Sequence, residues 1–192
     1  MIWNSTVLIV ALAMASPAVA APADIPRPNV PANLEVPSGY TPFLVGHAEG
    51  TQNYVCVATA TGVAWSFFGP QATLFNDADA QLMTHYLSAN PTENNTPRAT
   101  WQHSGDSSAA WAAAVASSTD AAYVAPGAIP WLLLQVVGVQ YGPSMGEKMV
   151  RTAFIQRVNT AGGLAPATGC ATVSDAGKKA LVPYTTDYVF YR

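Results

Sequence analysis

Charge is scarce in this sequence. Eight Lys and Arg and eleven Asp and Glu make up 10% of its 192 residues, against roughly 25% in an average soluble protein. With a formal net charge of −3, no basic stripe exists to neutralise phosphates, which excludes a nucleic-acid partner. Arg27, Arg98, Lys148, Arg151, Arg157, Lys178, Lys179 and Arg192 are scattered along the chain, so no polybasic segment is offered to an anionic membrane. Cysteine is limited to two residues, histidine to three. No Gly-x-Gly-x-x-Gly spacing occurs, which removes the backbone cradle of a dinucleotide site and leaves no cofactor implied. Half of the residues are hydrophobic, so intrinsic disorder is excluded as well.

The first twenty residues indicate where the rest works. Thr6 to Met14 is an uncharged apolar run, followed by Pro17 and the small-residue pattern Ala18-Val19-Ala20. That order predicts a secretory signal peptide over residues 1–20, cleaved near Ala20. About nine apolar residues are too few to cross a bilayer core that needs roughly 20, so no integral membrane segment is expected after cleavage. The expected location is secreted or periplasmic. Residues 21–35 carry Pro22, Pro26, Pro28 and Pro31 and read as an extended leader, because proline fixes φ and removes a donor. In an exported chain the two cysteines, Cys56 and Cys170, are expected to pair. A loop of roughly a hundred residues would contribute about 4–5 kcal/mol in the chain-entropy model.

From residue 36 onward the chain reads as one β-rich domain. Short apolar runs fall at 41–47, 53–59, 63–68, 72–75, 82–87, 100–103, 131–141, 149–158, 180–183 and 184–191. Turn signals such as Glu49-Gly50, Gly69-Pro70, Gly105-Asp106 and Gly162-Gly163 separate them. This predicts an all-β sandwich or barrel of about ten short strands. The alanine-rich stretch 107–117 is the one place where a short helix competes, since Ala has the best helix propensity.

Several segments together resemble a known family. They are Gly50-Thr51-Gln52-Asn53-Tyr54-Val55-Cys56, Gly69-Pro70-x-Ala72-x-Leu74, Thr100-Trp101 with Gly105-Asp106-Ser107, Ala128-Ile129-Pro130-Trp131, Phe154-Ile155-Gln156-Arg157-Val158-Asn159 and the terminal Tyr184 to Tyr191. In combination they resemble the secreted family known as domain of unknown function 3455, over about residues 30–192. The resemblance implies export and a single β-rich domain, with no activity or site to transfer. Fungal relatives often bear a malate dehydrogenase label, which the missing dinucleotide fingerprint contradicts.

Among chemistry-bearing residues, Gly142-Pro143-Ser144-Met145-Gly146 has the spacing of a nucleophile elbow. That chemistry needs an acid and then a histidine downstream, yet His47, His85 and His103 all precede Ser144; a hairpin loop is expected instead. The histidines lack the local spacing of a zinc site, and no metal is expected. Trp101 and His103 fall on one strand face, with Asp106 placed either to hold His103 or to cap its own turn. A polar site built from His85, His103, Asp106 and Arg157 is the catalytic alternative, a small hydrolase or isomerase. Arg157 is expected to pair with Asp187 or a ligand, and Arg151 to share its strand face. Trp101 is a possible stacking platform, and Trp65, Trp101 and Trp111 together a possible carbohydrate-binding set. Asn94-Asn95-Thr96 is a glycosylation sequon, relevant only in a eukaryotic source. The favoured expectation is a non-catalytic binding or envelope/surface-associated module for an unknown small molecule or glycan.

Overall fold

The computed structural model describes Met1 and residues 24–192; the segment read as a signal peptide lies outside them. Eight strands follow one another: β1 Pro42–Thr59, β2 Gly62–Phe75, β3 Gln81–Asn90, β4 Thr96–His103, β5 Ala109–Ser118, β6 Trp131–Gln140, β7 Phe154–Gly162 and β8 Lys179–Tyr191. Each pairs antiparallel with its sequence neighbours, and β8 returns to β1 to close the barrel. Closure removes both sheet edges. Two 3₁₀ turns, Ala32–Leu34 and Val173–Asp175, are the only helical pieces among the described residues.

Eight strands make a barrel whose interior is filled by its own side chains. Wall β4 contributes Trp101, and β8 contributes Tyr184, Tyr188 and Phe190, all buried. Room for these large rings comes from small inward residues elsewhere: Ala48 on β1, Ala72 on β2, Ala110 and Ala112 on β5. The alanines therefore serve volume, and the stretch 107–117 enters strand β5 at Ala109 rather than forming a helix. Packing size has overridden intrinsic propensity.

Two expected turns lie inside long strands. Glu49-Gly50 is within β1 and Gly69-Pro70 within β2. A Cβ on Gly50 would sit 2.1 Å from the Gln71 carbonyl oxygen and 2.5 Å from the Ala72 Cα, so glycine here permits a close strand approach. Pro70 opposes Gln52 of β1, beyond the end of the β2–β3 ladder at Gln71 and Tyr86. Its missing N–H therefore removes no bond to β3. Met149 to Arg151 is a turn, and β7 starts only at Phe154. The expected runs at 180–183 and 184–191 join as β8.

A second core lies outside the barrel wall. The leader wraps β6, β7 and β8, and Leu34 and Val36 pack with Trp131, Leu133, Val158, Val189 and Tyr191. Gln156 ties the strap down: its Nε2 donates to the Leu34 carbonyl at 2.6 Å, and its Oε1 accepts from the Tyr191 hydroxyl at 2.5 Å. Strand β8 is consequently buried on both faces, which is why Tyr188-Val189-Phe190-Tyr191 carries no polar alternation.

Cys56 and Cys170 form a disulfide with a Cα–Cα distance of 5.5 Å and a sequence separation of 114. It fastens the loop after β7 to the projecting β1–β2 hairpin, where Cys56 also exchanges backbone bonds with Gly177 and Lys178. Replacing both cysteines by alanine is expected to lower unfolding free energy by about 2–5 kcal/mol, read from urea midpoints. A loss below about 1 kcal/mol would contradict the tie's stabilising role.

Candidate functional site

The sequence-predicted polar residues separate into two pairs. His85 and Trp101 are directly opposite on β3 and β4, and both face the lumen. Their rings stack at 4.2 Å with an interplanar angle of 13°. Tyr188 meets both edge-on, at 5.1 Å and 5.2 Å. Trp101 is 0% exposed, so its stacking partner is His85, and it offers no platform to an external ligand.

His85 Nδ1–H donates to the Thr100 carbonyl at 2.9 Å. Burial pushes its pKa down to about 3; the Thr100 bond opposes the shift and the nearby Arg157 charge adds to it. The ring is therefore neutral at physiological pH, and general acid–base work needs a group that exchanges its proton near the working pH. Arg157 sends Nε and Nη2 to the Pro130 carbonyl at 3.1 Å and 2.7 Å. It does not pair with Asp187, which is held instead by His47 Nδ1 and Asn159 Nδ2, each at 2.7 Å. Arg151 sits in the turn before β7 and does not share a strand face with Arg157.

Three more polar residues point into the lumen: Tyr184 and Tyr188, expected from sequence as packing residues, and Gln52, for which no role is expected from sequence. Gln52 Nε2, Trp101 Nε1 and both phenol oxygens are buried without a hydrogen-bond partner among the described residues. Burial raises the pKa of each phenol, that of Tyr184 strongly. Period-two alternation along β8 carries the signal for both tyrosines.

His103 and Asp106 form the second pair at one barrel mouth, Nδ1 to Oδ1 at 3.3 Å. Asp106 caps its own turn: Oδ1 accepts from the Ser108 N–H at 3.1 Å and the Ser108 hydroxyl at 2.7 Å. Its Oδ2 accepts the Lys148 N–H at 3.0 Å. Burial lowers the His103 pKa, with Asp106 opposing and Lys148 assisting. The Gly142–Gly146 segment closes over this carboxylate. A Cβ on Gly142 would meet the Asp106 carbonyl oxygen at 1.7 Å, and one on Gly146 the Asp106 Cβ at 2.5 Å. The Gly-x-Ser-x-Gly spacing thus marks close packing rather than a nucleophile.

The indoles do not line up as a carbohydrate platform. Trp111 faces outward but is buried, its Nε1 donating to Ser88 Oγ at 2.9 Å. Trp65 lies on the projecting hairpin and donates to the Thr168 carbonyl at 3.1 Å. A concavity of about 770 Å³ lies on the outer face of β1, β2 and β3. Thr51, Asn53, Gln71, Thr84, Tyr86 and Phe68 are among its lining residues. These six side chains are uncharged, the exposed Glu49 adds one carboxylate to the lining, and Phe68 is 69% exposed.

A family model described as Protein of unknown function (DUF3455) matches residues 37–192. The chain belongs to this family. Comparison with curated proteins and with solved structures returns no match. The DUF3455 match takes in every barrel strand and begins just after Val36, so most of the strap lies ahead of it. Among the described residues, this DUF3455 barrel has no strand–helix–strand crossover of the kind that binds a dinucleotide.

Two histidines contribute in opposite directions to the pH response of the DUF3455 barrel. Unfolded, His85 takes up a proton near pH 6.5; folded, it resists until about 3. The unfolded state binds more protons throughout that window, so acid destabilises the barrel progressively as pH falls across it. His47 acts oppositely. Hydrogen bonds to Asp77 and then Asp187 raise its pKa, so its stabilisation is present below the unfolded value and is lost as pH rises through the folded one. His85→Phe is expected to flatten the acid limb of urea midpoint against pH, while the His85 ring resonances of the parent protein stay unprotonated at pH 5. A native-state His85 titration near 6.5 would contradict this.

Proposed function

We propose that this protein is an exported, non-catalytic binding module whose ligand is a neutral glycan held in the outer groove of β1–β3. Residues 1–20 act as the export signal, residues 21–35 as a strap, and residues 36–192 as the binding domain. The secreted or periplasmic setting suits a disulfide-closed body. The carrying observation is the 770 Å³ groove itself, which is within the range of small-ligand sites. Hydroxyl and amide groups from Thr51, Asn53, Gln71 and Thr84 can exchange hydrogen bonds with sugar hydroxyls. Phe68 and Tyr86 supply ring faces for the apolar side of a sugar.

The catalytic alternative finds less support. His85 is 3% exposed at the edge of the β1–β3 groove, whereas His103 and Asp106 are at a mouth and are tied to their own turn. Neither the groove nor the mouth concavity is lined by Arg157 or Asp106, and the two histidines line different ones.

Calorimetric titration of the mature protein with a panel of neutral oligosaccharides tests the reading. Saturable binding is expected, weakened at least about tenfold by Phe68→Ala, a loss of roughly 1.4 kcal/mol. Binding indifferent to both Phe68→Ala and Tyr86→Ala would refute the groove. Turnover of any substrate that is abolished by His103→Ala would refute a non-catalytic role.

A further inference from the structure

Free positive charge is concentrated at the mouth that carries His103. Lys148, Arg151 and Arg192 line a concavity of about 420 Å³ there, above an apolar wall of Phe43, Leu44 and Leu82. Elsewhere every cation but the exposed Lys179 is occupied. Arg98 pairs with Glu93 and Lys178 with Asp175, while Arg157 and Arg27 are spent on backbone carbonyls. None of the three mouth cations has a carboxylate within ion-pair distance among the described residues. Residues 2–23 contain no Asp or Glu, so no side-chain carboxylate from them can fill that role. Glu147 is the one acidic side chain lining the mouth.

The arrangement is held in advance of any ligand. The Lys148 N–H is bonded to Asp106, and the Met149 N–H donates to Ser108 Oγ at 3.1 Å. Arg192 lies over the Phe43 ring at 5.2 Å, an attraction that fixes the guanidinium without a counter-charge. His103 lines the same mouth. Its Nδ1 lies 3.1 Å from the Gly105 nitrogen and 3.3 Å from Asp106 Oδ1, which leaves Nε2 as the ring nitrogen with no partner among the described residues. The mouth therefore sets three cationic side chains against the single acidic side chain of Glu147, a surface that an anion complements. Preorganised donors also lower the ordering cost of binding.

We infer that this mouth binds a short amphipathic organic anion, a monocarboxylate with an apolar body. The head sits among Lys148, Arg151 and Arg192, and the body lies on Phe43, Leu44 and Leu82. The tail must be short, because Trp101, Phe190 and Leu74 fill the lumen beyond. This site is separate from the β1–β3 groove and does not depend on glycan binding there.

Octanoate, acetate and 1-octanol, titrated separately into the mature protein and followed by NMR, test the inference. Octanoate is expected to saturate, with shifts at Phe43, Leu82 and His103, while acetate and 1-octanol bind at least tenfold more weakly. Arg151 and Lys148 have exposed side chains, so Arg151→Glu and Lys148→Glu leave the core intact. Each is expected to weaken octanoate at least tenfold, with Arg151→Lys staying within threefold. Lys179→Glu makes the same charge change at the opposite end of the barrel and is expected to alter binding less than threefold, as is Phe68→Ala. Equal losses from Lys179→Glu and Arg151→Glu, acetate binding as tightly as octanoate, or no saturation at millimolar octanoate would each overturn the site. Co-sedimentation with phosphatidylglycerol vesicles in the absence of octanoate saturation would overturn it in favour of a membrane surface.

Discussion

The stack of His85 on Trp101 is the constraint around which the barrel is arranged. An indole and an imidazole placed face to face across β3 and β4 project deep into an eight-stranded lumen. Opposing walls must give way, and they do so through Ala48, Ala72, Ala110 and Ala112. Tyr188 and Phe190 then close around the stack edge-on, the geometry that aromatic quadrupoles favour. Interiors packed in this way tolerate little change of volume. The neutrality of His85 follows from its burial among these rings, inside a barrel closed by the pairing of β1 with β8.

Around that centre the molecule secures itself from outside. The strap gives β8 a second buried face, and the cystine fastens the long β1–β2 hairpin to the loop that follows β7. Both devices suit a body with few ion pairs. Of the five ion-pair contacts among the described residues, three involve a histidine that is charged only when protonated, and Arg98–Glu93 and Lys178–Asp175 are partly exposed local pairs, a kind that contributes little. Cohesion therefore rests on volume, hydrogen bonding and one covalent tie.

Much of this was legible in the sequence, for physical reasons that differ by element. Short apolar runs and turn chemistry disclose strands, and they do so for β3, β4 and β6, while β8 reads as two runs. They fail where one residue type serves two purposes. Gly50 reads as a turn but permits close strand contact, and the alanines of β5 read as helix but make room for Trp101. The disulfide follows from cysteine count and compartment, with no geometry required. The candidate sites were harder to read. Asp106 capping its own turn is local and readable, whereas Arg157 reaching Pro130, or Arg192 joining Lys148 and Arg151, depends on barrel closure. Long-range register brings those residues together, and a single sequence does not display it.

Function then becomes a question of which surfaces remain open. With its lumen occupied by rings, the barrel can meet ligands only along its outer wall and at its mouths. Hydrogen–deuterium exchange of the Trp101 indole N–H, followed by NMR under native conditions, tests the filled interior most directly. The N–H is buried without an acceptor, so exchange should track global unfolding and slow in step with added stability. Rapid exchange in the folded protein, insensitive to stability, would mean that water enters the lumen and that the interior is not the closed core described.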